Sequence, residues 1–96
     1  MTNIASTDLS QRDVIRSARA AFVRDALKSE RWSVRAAALA IGTNHTSLGA
    51  RVKGDTAFFA EDIESIAILL KRNPIEFYGE YLRAGSDDSD PRTLVP

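Results

Sequence analysis

The sequence contains no cysteine, which excludes disulfide bonds and thiolate metal sites. It has a single histidine, His45, with no acidic residue near it along the chain, so adjacent elements supply neither a nucleophile–base pair nor a metal site. We therefore expect no enzymatic activity and no cofactor. No apolar run approaches the roughly 20 residues that span a bilayer, and residues 1–13 lack the apolar segment of a signal peptide. These absences predict a soluble cytoplasmic protein.

The net charge of the chain is zero, which by itself argues against a nucleic-acid partner, but the charges are unevenly distributed. Residues 1–54 carry nine Lys/Arg and four Asp/Glu, whereas residues 55–96 carry four and nine. No acidic residue lies between Arg31 and Lys53, a window that also contains Arg35 and Arg51. Such basic residues are often only a solvated face, but the lack of neighbouring acids favours contact with phosphate groups.

Helical periodicity runs through most of the chain and no strand pattern occurs, which predicts an all-α, compact bundle of about five helices. A chain of 96 residues can bury one core, so we expect one domain over residues 8–84. Residues 1–7 are predicted to be a flexible leader, and the acidic residues 85–96 a disordered tail. The predicted helices cover approximately residues 8–31, 33–41, 44–53, 59–72 and 74–84.

The second and third predicted helices are short and lie close together. Gly42 is placed to end the second helix, Asn44 to cap the third, and Gly54 to end it. Two short helices joined by so few residues must cross sharply, as in a helix-turn-helix. In that geometry the first turn of the later helix points outward, where backbone N–H groups and short side chains can enter the major groove of DNA.

From Ser33 to about Phe77 the chain resembles the lambda-repressor-like (Cro/C1, XRE-type) helix-turn-helix domains. The segments LGARVKG and IESIAILLKRNPIEF carry this resemblance, and LGARVKGDTAFFAEDIESIA is similar to immunity repressors and Cro-like proteins of actinobacterial phages. The matching positions are Ser33, Ala38, Gly42, Leu48 and Gly54. The resemblance implies a lambda-repressor-like fold with residues 44–53 as the recognition helix.

The resemblance also implies site residues. The residues expected to contact bases are His45, Thr46, Ser47 and Ala50. The residues expected to contact the DNA backbone are Arg35, Asn44, Gly49, Arg51 and Lys53. Two positions depart from the family pattern: Val34 replaces the usual glutamine that contacts the backbone, and Arg51 stands where many relatives have an apolar residue. The implied function is a transcriptional repressor, of the kind that maintains phage immunity or lysogeny, acting on operator DNA in the nucleoid of a bacterial host.

Other functions are compatible with the same residues. One is a five-helix protein-interaction module, antitoxin-like or an adaptor, whose acidic half binds a basic partner. Another is an excisionase-type architectural protein that bends its DNA site. The wide apolar face of the last predicted helix is a candidate dimer contact, formed by Phe77, Tyr78, Tyr81 and Leu82. The sequence leaves a monomer and a weak homodimer both open.

Overall fold

Five α-helices make up the part of the chain that the computed structural model describes, which comprises the backbone of residues 2–85 and the side chains of residues 11–85. The helices are α1 (Thr2–Ser29), α2 (Val34–Ile41), α3 (His45–Lys53), α4 (Ala60–Leu69) and α5 (Pro74–Gly85). No strand occurs in this part of the chain, so the prediction of an all-α bundle is confirmed. None of these helices combines the length and apolarity that crossing a membrane requires.

The first helix begins earlier than the sequence suggested. Residues 2–7 are helical, which differs from the predicted leader over residues 1–7. No glycine or proline occurs before Gly42, so nothing interrupts α1 once helical geometry is established. Of the predicted tail, Gly85 is the buried last residue of α5, and residues 86–96 lie outside the described residues.

A residue with left-handed backbone geometry follows each of the first four helices. Gly42 (φ 78°) and Gly54 (φ 87°) close α2 and α3, as the sequence predicted. Arg31 (φ 64°) and Lys71 (φ 60°) follow α1 and α4 in the same conformation, although a side chain disfavours it. The α1 helix therefore stops at Ser29, slightly before its predicted end.

One hydrophobic core is shared by all five helices, because α1 packs against α3 and α5, and α4 packs against α2 and α5. Its buried apolar side chains are Ala20, Val23, Leu27, Ala37, Ala38, Leu48, Val52, Ile63, Ile66, Ala67, Leu70, Phe77 and Tyr81. Leu48 and Val52 bury one face of α3. The opposite face and the first turn of α3 are thereby left at the surface.

The candidate dimer contact on α5 is divided by the fold. Phe77 is fully buried, with its ring centroid 5.1 Å from that of Phe22, and Tyr81 is only 7% exposed. These two side chains belong to the core, so their assignment to a dimer contact is corrected. The apolar face of α5 is wide because the helix packs against both α1 and α4. Tyr78 and Leu82 remain at the surface.

Candidate nucleic-acid interface

The link between α2 and α3 comprises only Gly42, Thr43 and Asn44, and Asn44 organises the start of α3. Its extended backbone precedes the helix, and its Oδ1 accepts hydrogen bonds from the N–H groups of Thr46 (2.7 Å) and Ser47 (3.2 Å). The first turn of a helix leaves backbone N–H groups without a partner inside the helix. The Asn44 cap occupies two of these groups in α3, so fewer remain for contact with another molecule. These bonds occupy the Oδ1 of Asn44, so its side chain keeps its amide N–H groups for an external contact.

Three consecutive polar side chains form the exposed first turn of α3. His45, Thr46 and Ser47 are all exposed, while the next residue, Leu48, is fully buried. The imidazole and the two hydroxyl groups together offer both hydrogen-bond donors and acceptors. Because the turn is capped at one end and anchored by Leu48 at the other, these groups are presented in a defined geometry. We call His45, Thr46 and Ser47 the polar turn.

A concave surface of about 550 Å³ adjoins the polar turn. It is lined by Thr46, Ser47, Ala50, Arg51, Thr56, Ala57 and Phe59. The fold therefore brings three of the four residues predicted to contact bases to one surface, with His45 preceding them on the same turn. Ala50 contributes a half-buried methyl group rather than a polar atom.

Gly49 occupies a position in α3 that the protein itself does not require to be glycine. A Cβ atom added there would meet no heavy atom within 4 Å, and its φ angle is not in the left-handed region. Gly79, in the middle of α5, offers a comparison, since an added Cβ would lie 3.6 Å from Nη1 of Arg83, an ordinary contact. A close approach of another molecule would account for glycine at position 49.

We expect Gly49→Ala to raise the free energy of unfolding by about 0.5–1 kcal/mol, because alanine restricts the unfolded chain and favours the helix. If the DNA backbone approaches Gly49, the added methyl group should weaken duplex binding about tenfold, equivalent to about 1.4 kcal/mol. Gly79→Ala is the matched control: it should give a similar gain in stability in urea unfolding and unchanged affinity in fluorescence anisotropy. Equal affinities for both variants would remove Gly49 from the interface.

Two of the predicted phosphate contacts have their charges at the surface. Arg35 lies in the first turn of α2 and Lys53 is the last residue of α3, and both are exposed. Neither forms an ion pair with a side chain that the structure describes. Arg35 and Lys53 thus lie near the ends of α2 and α3 that are farther along the chain from the link between the two helices.

Arg51 is occupied within the fold, unlike the two cations just described. Its Nη1 lies 3.6 Å from Oδ2 of Asp62, and both side chains are largely buried, at 16% and 15% exposed. The guanidinium carbon also lies 4.9 Å from the ring centroid of Phe59. The same Asp62 oxygen accepts the N–H of Phe59 at 3.0 Å. Arg51 thus joins α3 to the start of α4, and the structure does not place it as the predicted backbone contact.

The ion pair between Arg51 and Asp62 could not be foreseen from the sequence. The window from Arg31 to Lys53 is free of acids along the chain, but Asp62 reaches it in space from α4. Asp62 stands three residues after Phe59, a position at which an acidic side chain commonly caps the start of a helix. That position was the one sign in the sequence that Asp62 would lie at the start of α4.

Val34, the other departure from the family pattern, packs against the edge of the core. As an apolar side chain it cannot donate to a phosphate or to a neighbouring side chain. The start of α2 is instead capped by Ser33, whose Oγ accepts the N–H of Ala36 at 3.1 Å. Arg35, exposed next to Val34, is the polar group available at this helix end.

Comparisons of the chain with protein-family models, with curated proteins and with solved structures found no match. The resemblance to lambda-repressor-like domains therefore stays a prediction carried by the residues quoted for it. Within the described residues, no group of three or more His, Cys, Asp or Glu side chains could hold a metal ion. The surface formed by α2 and α3 is the candidate functional site.

Proposed function

We propose that this chain is a sequence-specific double-stranded DNA-binding protein in which α2 and α3 form a helix-turn-helix and α3 is the recognition helix. The observation that carries the proposal is the polar turn, because it is exposed, capped by Asn44 and anchored in the core by Leu48. Exposed polar side chains at the start of a short helix suit the major groove, which is about 12 Å wide and admits an α-helix.

The chemistry of the polar turn supports a role in reading bases. His45 can donate to or accept from a base edge, depending on its tautomer. Thr46 and Ser47 can do either through their hydroxyl groups, so they discriminate less between bases than a bidentate side chain would. The methyl group of Ala50, on the same concave surface, suits contact with the methyl group of thymine.

The flanking charges support a role in binding the DNA backbone. Arg35 and Lys53 are exposed and have no acidic partner among the described side chains. Phosphate contacts of this kind fix the register of a protein on the duplex and supply affinity without reading sequence. We propose no enzymatic role for the chain, which acts as a repressor of the phage immunity-repressor or Cro-like kind by occupying operator sites that RNA polymerase would use.

The proposal is tested by the salt dependence of binding to a random duplex, measured by fluorescence anisotropy. Wild-type affinity should fall steeply as salt rises, because each neutralised phosphate releases counterions. Lys53→Gln should weaken binding to all sequences alike and reduce the slope of log K against log salt by about 0.9, the loss of one phosphate contact. Lys71→Gln removes an equal charge from the link between α4 and α5 and should leave the slope unchanged.

Absence of duplex binding by the wild-type chain at about 50 mM salt, a condition that favours phosphate contacts, would contradict the proposal. Equal slopes for Lys53→Gln and the wild type, with binding intact, would remove Lys53 from the interface but leave the function standing. A bending assay on the bound site separates a repressor of this kind from an excisionase-type protein, which must deform its DNA.

An exposed apolar surface favours a second candidate function, the protein-interaction module. Leu39 of α2 is 82% exposed and Ile68 of α4 is 61% exposed, and an exposed apolar patch can mark a site of protein interaction. A shallow concavity of about 310 Å³ between the same helices is lined by Ala40, Ile41, Ser65, Ile68 and Leu69. Failure to bind heparin and DNA at low salt would favour this function over DNA binding.

A further inference from the structure

Three arginines of α1 line a pocket beside α5 that contains none of the residues of the polar turn. Arg12, Arg16 and Arg19 are spaced so that they share one face of the helix. With Ile15, Ala57 and Tyr81 they line a concavity of about 320 Å³, which we call the arginine pocket. No carboxylate among the described side chains lines it. The pocket is therefore a concentration of positive charge that neither the core nor the polar turn requires.

The charges of the pocket are weakly compensated by the side chains that the structure describes. Arg16 lies 3.8 Å from Asp13, one helical turn away, but the two side chains are 38% and 73% exposed. An exposed pair at this distance is screened by water and salt, and contributes little. Arg12 is exposed and forms no ion pair with a described side chain. Among the described side chains, an anion entering the pocket would therefore displace little existing interaction.

Arg19 and Tyr81 give the pocket an ordered inner wall. The Nη2 of Arg19 donates to the carbonyl oxygen of Leu82 at 3.2 Å, and its guanidinium carbon lies 5.4 Å from the ring centroid of Tyr81. The Nε of Arg19 is buried and has no hydrogen-bond partner within the described part of the chain. Burial raises the pKa of the Tyr81 hydroxyl, and Arg19 partly offsets this rise. The hydroxyl therefore stays protonated at neutral pH and can donate to an anion.

The arginine pocket adjoins the surface that we assign to DNA. Ala57 lines both the arginine pocket and the concavity beside the polar turn. Gly54, which ends α3, packs on α1, since a Cβ placed on it would lie 3.5 Å from Cα of Ser17 and 3.7 Å from Cβ of Ala20. A duplex lying against the polar turn would thus have one strand near the segment 54–59 and the arginines beyond it.

We propose that the arginine pocket is a phosphate-binding site that holds a DNA backbone phosphate flanking the base pairs contacted by α3. This inference rests on the proposed function. Arginine suits such a site because its planar guanidinium presents several N–H donors to phosphate oxygens, and a tyrosine hydroxyl adds a further donor. The contact adds α1 to the interface, so that the protein binds a longer stretch of backbone than the helix-turn-helix alone would reach.

The test measures the salt dependence of duplex binding by the full chain and its variants. Arg12→Gln and Arg16→Gln should each reduce the slope of log K against log salt by up to about 0.9, and the double variant by more than either alone. Tyr81→Phe keeps the buried ring but removes the hydroxyl, and should weaken binding several-fold with the slope unchanged. Lys71→Gln is the control for the loss of one positive charge elsewhere. Thermal unfolding of each variant confirms that the fold is intact.

If the wild type binds the duplex and neither arginine variant changes the slope of log K against log salt, the inference is overturned and the proposed function still stands. Absence of any duplex binding by the wild type at about 50 mM salt would overturn both. Phosphate ethylation interference gives the most direct support: ethylation of a flanking phosphate should inhibit the wild type and not the Arg12→Gln/Arg16→Gln variant.

Two further measurements distinguish other sources of the anion. NMR signals of the arginine Nε–Hε groups can be followed during titration with inorganic phosphate. Shifts in the pocket arginines, combined with an unchanged DNA salt slope in their variants, would assign the pocket to a small phosphate ligand and overturn the inference.

The chain also carries Asp87, Asp88 and Asp90 just beyond Gly85. If their replacement by asparagine tightens DNA binding and the arginine variants leave the slope unchanged, the pocket belongs to these carboxylates, which again overturns the inference.

Discussion

Phe77→Ala is expected to lower the free energy of unfolding by about 3–5 kcal/mol, the usual cost of removing a large buried aromatic side chain. Phe77 is fully buried, its ring contacts that of Phe22, and the guanidinium of Arg72 lies 5.2 Å from its centroid. Small domains are stable by only about 5–15 kcal/mol, so this variant should be close to unfolding at room temperature. Urea unfolding followed by circular dichroism measures the change.

Tyr78→Ala is the matched control, because Tyr78 is the next residue of α5 but lies at the surface. Its loss should cost less than about 1 kcal/mol, as is usual for surface substitutions. The alternative assignment of Phe77 to a dimer contact makes the opposite prediction: Phe77→Ala would leave the stability of the monomer unchanged and alter only its concentration-dependent association. Sedimentation equilibrium of both variants separates the two.

His45→Ala and Thr46→Ala are each expected to reduce the preference for a selected DNA site over random duplex by about 1 kcal/mol, or roughly fivefold, the low end of the range for a bidentate base contact. The reason is that both side chains are exposed on the first turn of α3, where they can contact base edges but take no part in the core. Affinity for random duplex should change little, since base contacts do not supply it. Anisotropy titrations with both duplexes at one salt concentration measure the ratio.

Ser65→Ala is the control for loss of a polar side chain elsewhere, because Ser65 lies on α4 beside the apolar concavity. It should leave the preference unchanged. If instead His45→Ala weakens binding to specific and random duplexes equally, His45 contacts the backbone and the assignment of base reading to it is wrong.

The α2–α3 segment was the part of the fold most accurately predicted from the sequence. Asn44 caps α3, and Gly42 and Gly54 end α2 and α3, as predicted, because capping depends on residues adjacent in the chain. The ends of α1 and α4 were harder to predict. Arg31 and Lys71 adopt left-handed geometry there without the glycine that normally signals it, so the surrounding packing rather than local preference fixes these ends.

Features that depend on contacts between distant residues could not be predicted. The Arg51–Asp62 pair joins two helices, and the acid-free window gave no sign of it. Gly85 was assigned to the tail on composition, but it is buried against α1, where a Cβ atom would lie 2.6 Å from Cγ2 of Ile15. The arginines of α1 were visible in the sequence, but only the packing of α5 and of the segment after α3 brings Tyr81 and Ala57 to them.

The exposure of the polar turn, by contrast, followed from the sequence. Two short helices joined by so few residues were expected to cross sharply and to leave the start of α3 at the surface, and His45, Thr46 and Ser47 are exposed there. His45 is exposed even though it lies three residues before Leu48, on the side of the helix that is buried further along. The proposed role of this surface in reading DNA is the central claim of the functional assignment.

The most direct measurement is selection of bound duplexes from a random pool by the wild-type chain and by the His45→Ala/Thr46→Ala variant, at one salt concentration. We predict that the wild type enriches one sequence motif, and that the variant retains duplexes in a salt-dependent manner but loses that motif. Enrichment of the same motif by both proteins, or retention of no duplex by the wild type, would contradict the assignment of α3 as a DNA recognition helix.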